Sequence, residues 1–292
     1  MTAQSLPGGF VDHSLDPSTN VVRKVGDVEI IALCDGILPS RVDVALGLEL
    51  AEAERLTGVK KGEVMWMSVN QYAVRLGDKL ALIDTGAADR MYPSLGLLPQ
   101  NMKQRGIDPA DVDYVFITHL HPDHMYGLVS PDGSAAFPNA EIFIHEKEAN
   151  FWIGATPDTG KATVDKNIIQ TERHLRDYKD RLRIVKDGEV MQNVSIKCCP
   201  GHTPGHSAWI IHSGREAAMM WGDVIHLQRV QMARPDIATI YDLDGELGAR
   251  SRTIILDMCI ADGINALGAH LEFPGFARVV KNGSGYAFEY DF

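Results

Sequence analysis

The chain has 292 residues, 45% hydrophobic and 23% charged, which is the balance of a soluble globular protein and not of a disordered or fibrous one. Its formal net charge is −11, and no basic stripe interleaved with aromatics offsets it, so nucleic acid is excluded as an expected partner. No apolar run approaches the roughly 18 to 20 residues of a membrane-spanning helix, and Met1–Phe10 lacks the marks of a secretory signal, so no membrane partner and a cytoplasmic location are expected.

Val28–Cys34 reads as a strand, bounded by Gly26-Asp27 and Asp35-Gly36. Asn70–Leu76 and Leu80–Ile83 flank a Gly77-Asp78 turn and predict a hairpin. Leu95–Arg105 has a helical pattern and stops at Gly106. Tyr114–Thr118 and Glu141–His145 are short β-rich runs, and Lys161–Arg181 predicts a charged amphipathic helix. Further on, Val194–Cys199, Ser207–His212 and Ala217–Trp221 read as strands, and Leu247–Ala261 as a helix. Gly263 opens a last strand toward His270, and Tyr286–Tyr290 adds an edge strand. Strands and helices alternating in two halves predict an α/β protein with two sheets and helices outside them, an αβ/βα sandwich. No linker rich in Pro, Gly or Ser divides the chain, so a single domain is expected overall. Residues 1–25 and 37–64 fit the alternation poorly. Residues 1–64 are therefore read as an N-terminal extension with the first strand, a cap or a dimer arm, and 65–292 as the main domain.

The four cysteines, Cys34, Cys198, Cys199 and Cys259, form no C-x-x-C pair. Cys198 and Cys199 are neighbours on an apolar strand and are expected to pack as small hydrophobes, which fits a reducing compartment.

The segment that carries chemistry is Thr118-His119-Leu120-His121-Pro122-Asp123-His124, directly after the apolar run Val115-Phe116-Ile117. Strand ends and the loops after them are where sites in layered α/β folds collect. Imidazole and carboxylate together suit zinc, iron, manganese or cobalt. In an extended segment His119 and His121 face one way. Pro122 then turns the chain, so Asp123 and His124 face another way. One loop can thus feed two neighbouring metal positions, and it needs further donors. Gly201-His202, Gly222-Asp223 and Ala269-His270 each follow an apolar run beside a glycine or proline. A carboxylate such as Asp223 can place one oxygen on each of two ions.

This pattern resembles the metallo-β-lactamase superfamily, in which H-x-H-x-D-H is followed by His, Asp and His in that order. The turn Ile83-Asp84-Thr85-Gly86 is similar to an early element of that superfamily, whose Asp supports the site without being a main ligand. Within it, several segments resemble the methyl parathion hydrolase group, which also holds lactonases and aryl esterases. They include Asp84–Ala88, Ile117–His124, Phe137–Ala140, Lys147–Trp152, Gly201–His206 and Ala269–Gly275, over roughly residues 65 to 290. The resemblance implies a four-layer sandwich with two mixed sheets. It also implies two divalent ions, zinc by default. His119, His121 and His202 would hold one, Asp123, His124 and His270 the other, and Asp223 with a hydroxide would bridge them. Similar proteins are often dimers, so a homodimer is left open. One position departs from the family. Tyr126 stands where a glycine usually follows, either lining the pocket or changing the packing at the start of a short helix.

The expected activity is hydrolysis of a lactone or a carboxylic (aryl) ester, with Asp123 moving a proton to the leaving oxygen. A phosphotriester is the alternative, and both call for a small, neutral, largely apolar substrate. β-Lactam or thioester hydrolysis, a mononuclear iron oxygenase and a non-catalytic metal-binding module are weaker readings. Tyr92, Met125, Tyr126, Trp152 and Phe273 are candidates for the pocket wall, with core packing as the competing role for each. His226, three residues past Asp223, is a candidate to face the pocket. His206 is expected to support the site without ligating. His13, His145, His174 and His212 are expected on the surface or on strands.

Overall fold

The structure is a computed structural model that describes residues 4–5, 11–12 and 21–290. Among these, two seven-stranded sheets carry the fold, each with its strands side by side in chain order. The first contains β1 (Val22–Val25), β2 (Val28–Ser40), β3 (Met65–Leu76), β4 (Lys79–Ile83), β5 (Tyr114–Phe116), β6 (Glu141–His145) and β7 (Leu182–Val185). Strands β1 to β4 pair antiparallel and β4 to β7 pair parallel. The second contains β8 (Gly188–Met191), β9 (Val194–Cys198), β10 (Ser207–Ser213), β11 (Glu216–Met220), β12 (Asn265–Leu267), β13 (Phe276–Asn282) and β14 (Gly285–Glu289). There only β11 and β12 run parallel, so both sheets are mixed.

Side-chain alternation explains the layers. On β10, Trp209 and Ile211 face the first sheet, while Ala208 and Ile210 face the other way into a separate core. On β11, Ala218 and Met220 point inward and Met219 outward. Phe116 of β5 stacks on Trp209 at 4.5 Å between centroids, and Trp209 Nε1–H donates to the Ile117 carbonyl, so the two sheets are joined face to face. Helices α2 (Leu98–Gln104) and α5 (Ala162–Leu175) bury Leu98, Met102, Ile168 and Leu175 against the first sheet. Helix α7 (Gly245–Asp262) buries Ile255, Leu256 and Cys259 against the second. The architecture is the expected αβ/βα sandwich.

Several boundaries moved. The strand read as ending at Cys34 continues to Ser40 through a bulge at Cys34/Gly36. Gly36 is what allows this: its φ is +124°, and a Cβ there would sit 2.0 Å from the Ser94 carbonyl oxygen. The helix read over Lys161–Arg181 ends at Leu175, and Arg176–Arg181 continues as a 3₁₀ segment. Of the poorly fitting N-terminal region, Val22–Val25 form β1 at the edge of the first sheet beside β2, and α1 (Leu50–Thr57) packs toward α6 (Gln228–Ala233). Val44, Met67, Leu227, Val230 and Ile237 form a small core there. No helix among the described residues is long and apolar enough to cross a membrane.

Candidate metal centre

Five segments meet at one end of the sandwich. They are the loop after β5, which runs into the short helix α3 (Pro122–Met125), and the loops after β4, β9, β11 and β12. The early turn enters through Asp84, at a φ of +59°, and its carboxylate has three partners. It accepts from the Thr118 N–H and Oγ1–H, both at 2.8 Å, and lies 2.8 Å from His124 Nδ1. The His270 loop is pinned to β3 by the Asn70 amide, which donates to the Gly268 and Leu271 carbonyls, and by the Tyr72 hydroxyl.

Two groups of donor atoms share Asp223, His119/His121/His202/Asp223 and Asp123/His124/Asp223/His270, and a third, His202/His226/Asp242, lies beside them, each with its atoms within 4.8 Å of one another. In the first, His121 Nδ1 lies 3.1 Å from His119 Nε2 and 2.8 Å from His202 Nε2. Asp223 Oδ2 lies 3.6 and 3.3 Å from the same two Nε2 atoms. In the second, Asp223 Oδ1 lies 3.1 Å from His124 Nε2 and 3.3 Å from His270 Nε2. Asp123 Oδ2 lies 3.6 and 3.5 Å from them. One carboxylate therefore turns an oxygen to each group.

The chemistry of the donor set fits divalent cations. Four of the five histidines have an acceptor on the outer ring nitrogen: Thr118 Oγ1 for His119, Asp84 for His124, Asp242 for His202 and the Ser68 carbonyl for His270. Thr118 spends its own proton on Asp84, so its oxygen can only accept from His119. With Nδ1 engaged on the outside, these four rings turn Nε2 inward, and His121 turns Nδ1 there, so five ring nitrogens converge. Tetrahedral coordination with bonds of about 2.0 to 2.1 Å sets donors about 3.3 Å apart, which is the scale of the observed spacings. His124 Nε2 and Asp223 Oδ1 are buried with no hydrogen-bond partner among the described residues.

Electrostatics agree. Burial, reinforced by neighbouring imidazoles, holds His119 and His121 well below the usual histidine range, so both are unprotonated and ready to ligate. Burial opposes ionisation of Asp223 and Asp123, yet the surrounding histidines hold both below the usual carboxylate range. Burial also opposes a charge on His124, but Asp223, Asp123 and Asp84 raise it well above its usual value. Without a cation, a proton takes that place.

Of the remaining candidates, His206 lies outside the two groups. Its Nε2 accepts from the Asp223 N–H at 2.9 Å, and burial pushes its pKa down to about 3. His226 joins the cluster: its Nε2 lies 2.9 Å from Asp223 Oδ2, and its ring stacks on His270 at 5.1 Å. Tyr92 is 43% exposed. Four expected wall residues lie elsewhere. Met125 is fully buried, its sulfur accepting from Thr171 of α5, because a helical step past His124 turns it into the core. Trp152 is buried behind His121, with its Nε1–H on Glu148 and its ring edge-on to His121 at 5.9 Å. Phe273 belongs to the main core. Tyr126 stacks on His174 at 4.5 Å with 8° between planes, a packing role.

His174 is therefore buried on α5 and not on the surface, while His13 lies outside the described residues. Burial pushes the His174 pKa down to about 4. Below about pH 6.5 the unfolded chain takes up a proton that the folded chain refuses until about pH 4. Stability should therefore fall as pH drops through that window. His174→Phe keeps a ring against Tyr126 and should make the fall in melting temperature shallower in metal-free protein. An unchanged slope would refute the assignment.

Two supporting carboxylates escaped the sequence reading. Asp242 lies 3.1 Å from His202 Nδ1 and is held low by that contact against the opposing effect of burial. Glu148 ties the loop of His119 and His121 to the loop of His202, as described below. Neither sits in a local motif.

A two-sheet αβ/βα sandwich with an imidazole–carboxylate cluster at one end defines a class of metal-binding α/β proteins. The sequence profile described as the Metallo-beta-lactamase superfamily matches residues 64–246. This chain belongs to that superfamily. Over 145 residues it is 30% identical to the N-acyl homoserine lactonase AttM of Azorhizobium caulinodans, covering 46% of this chain and 50% of that protein. The chain spans about half the length of the first curated relatives it matches. Among solved structures, the hydrolase AbOPH, described as in the beta lactamase superfamily, superposes with a TM-score of 0.85 at 29% identity, covering 91% of this chain and 95% of that one. AidC, described as a dizinc quorum-quenching lactonase in complex with a product, gives 0.85 at 26% identity, covering 93% and 97%.

Proposed function

We propose that this protein is a metal-dependent hydrolase that opens lactones or simple carboxylic esters. The observation that carries the reading is the Asp223 carboxylate, with one oxygen toward each of two groups of bare nitrogens. His119, His121 and His202 would hold one ion, and Asp123, His124 and His270 the other, with Asp223 shared. Zinc suits these donors, and the related AidC is described as dizinc. A bound pair of divalent cations supplies Lewis acidity and makes water acidic near neutral pH.

The chain's own groups do the rest. Asp123 is 8% exposed, against 3% for Asp223, so it is the cluster carboxylate open to a substrate's leaving oxygen and the one placed to move a proton there. A cavity reaches His226 and His270 between Met65, Met67, Val59 and Leu227, with Arg229 and Glu272 also in its lining, so it offers a small molecule an apolar wall and charged groups. His226 lies in that lining, and its Nδ1 is buried with no partner among the described residues. The N-acyl lactone relatives favour a lactone over a triester as the first substrate to try.

The test is one zinc-loaded preparation assayed on a γ-lactone, an aryl ester and a phosphotriester. We expect kcat/KM for the lactone to exceed that for the triester tenfold or more, a barrier difference of about 1.4 kcal/mol. The reverse order would replace this reading with phosphotriester hydrolysis.

A further inference from the structure

Helix α4 (Glu146–Trp152) begins directly after β6 and carries Glu148, a fully buried carboxylate outside both donor groups. Its Oε1 accepts from the Leu120 N–H at 2.8 Å and the Trp152 Nε1–H at 2.7 Å. Its Oε2 accepts from the Thr203 Oγ1–H at 2.6 Å and the Gly205 N–H at 3.1 Å. Leu120 stands between His119 and His121, and Thr203 directly follows His202. One side chain therefore binds the loop after β5 to the loop after β9. Gly205 makes the approach possible, since a Cβ there would lie 1.9 Å from the Glu148 backbone nitrogen. Burial pushes the Glu148 carboxyl up, and these hydrogen bonds oppose that shift. No Lys, Arg or His pairs with it among the described residues. A carboxylate kept in the interior by hydrogen bonds alone is costly, so packing does not account for its presence.

The other donor group is held by different residues. His124 is fixed through Asp84, and His270 through the Ser68 carbonyl. Asp84 also reaches the first group, since the Thr118 hydroxyl it holds accepts from His119, but Glu148, Trp152 aside, hydrogen-bonds only to the loops of the first group. We propose that Glu148 is the positioning residue of the first donor group, locking the spacing of His119 and His121 against His202 by clamping both loops. The proposal rests on the metal reading above.

Glu148→Gln tests it. The amide can turn its nitrogen toward Thr203, whose hydroxyl can accept, but the Gly205 N–H then faces an N–H. The loop bearing His202 should loosen. Cation affinity is measured by competing metal-free protein against a chromophoric chelator for zinc. Outer partners of ligands are worth about 10- to 100-fold in affinity. We expect one of the two zinc ions to bind at least tenfold more weakly and the other to be unchanged. Cobalt added at one equivalent should then report mainly the carboxylate-rich group in its visible spectrum. Asp84→Asn is the contrasting variant and should weaken both ions, because Asp84 holds His124 directly and His119 through Thr118.

The metal-free melting temperature separates loss of positioning from loss of folding. If the Gln variant does not fold, Thr203→Val removes one donor, leaves Glu148 in place and should give the same selective weakening at smaller amplitude. Two zinc ions on the wild type with both affinities kept, or both reduced equally, in Glu148→Gln would overturn the clamp alone. A wild type that binds no zinc would overturn the metal reading together with it.

Discussion

Asp223→Ala should remove turnover almost completely and reduce bound metal from near two ions per chain to one or fewer. The carboxylate has nitrogens of five histidines around it, between 2.9 and 3.6 Å away. Its loss takes one donor from each group at once and uncovers like-charged neighbours to each other. Losing several kcal/mol of charge stabilisation corresponds to about a thousandfold in kcat/KM. Two variants separate the causes. Asp223→Asn keeps the shape and one good acceptor oxygen, so it should hold one ion better than the alanine variant while remaining slow. His206→Ala removes the ring that accepts from the Asp223 N–H and should cost far less, since the carboxylate remains. Elemental analysis and lactone kinetics on the three proteins make the comparison. Two ions and wild-type turnover in Asp223→Ala would remove the basis for a shared carboxylate.

How much of this was readable in the sequence depends on how local each signal is. His119, His121, Asp123 and His124 sit in one short run, where extended spacing and a proline imply two directions. His202, Asp223 and His270 were legible because each follows an apolar strand at a glycine or proline. Asp242 and Glu148 were not. Their importance lies in hydrogen bonds to loops some 40 and 28 residues away or more, which only the packed sheets bring near. The burial of Met125 and Tyr126 was hidden for a related reason. Met125 is one residue from His124, but a helical step points it into the core against α5. Tyr126 found a stacking partner in His174, a residue 48 positions later by the numbering, which no nearby pattern announces.

The fold follows the same rule. The hairpin around Gly77-Asp78 and the strand Glu141–His145 were clear because alternation and turn residues agree there. Strand β2 was cut short because Asp35-Gly36 looks like a turn. In the structure Asp35 is instead buried, and its carboxylate accepts from the N–H groups of Ala87 and Leu98. Burial pushes its pKa up to about 7, against the pull of those hydrogen bonds. A polar pair in sequence can thus be a bulge with a buried acid, and only the residues it later meets decide between the two.

Chelation should then produce the largest change in stability. In the metal-free state several bare nitrogens and two carboxylates face one another in a buried space, and His124 carries a proton that a cation would displace. A ligand that binds only the folded chain stabilises it by about 4 kcal/mol when present at a thousand times its dissociation constant. Two such ions give about 8 kcal/mol. At roughly 2 to 4 °C per kcal/mol for a chain of this order of size, the melting temperature should fall by about 15 °C or more on removal of metal. Activity should vanish with it and return on adding zinc. The proton on His124 adds a second signature. Acidification raises its occupancy, so the cation of the second group should be lost first as the pH falls, while His119 and His121 stay unprotonated. Calorimetry of metal-free and reloaded protein at two pH values measures both effects. A chelated protein that melts where the loaded one does, and still turns over a lactone, could not be using this cluster.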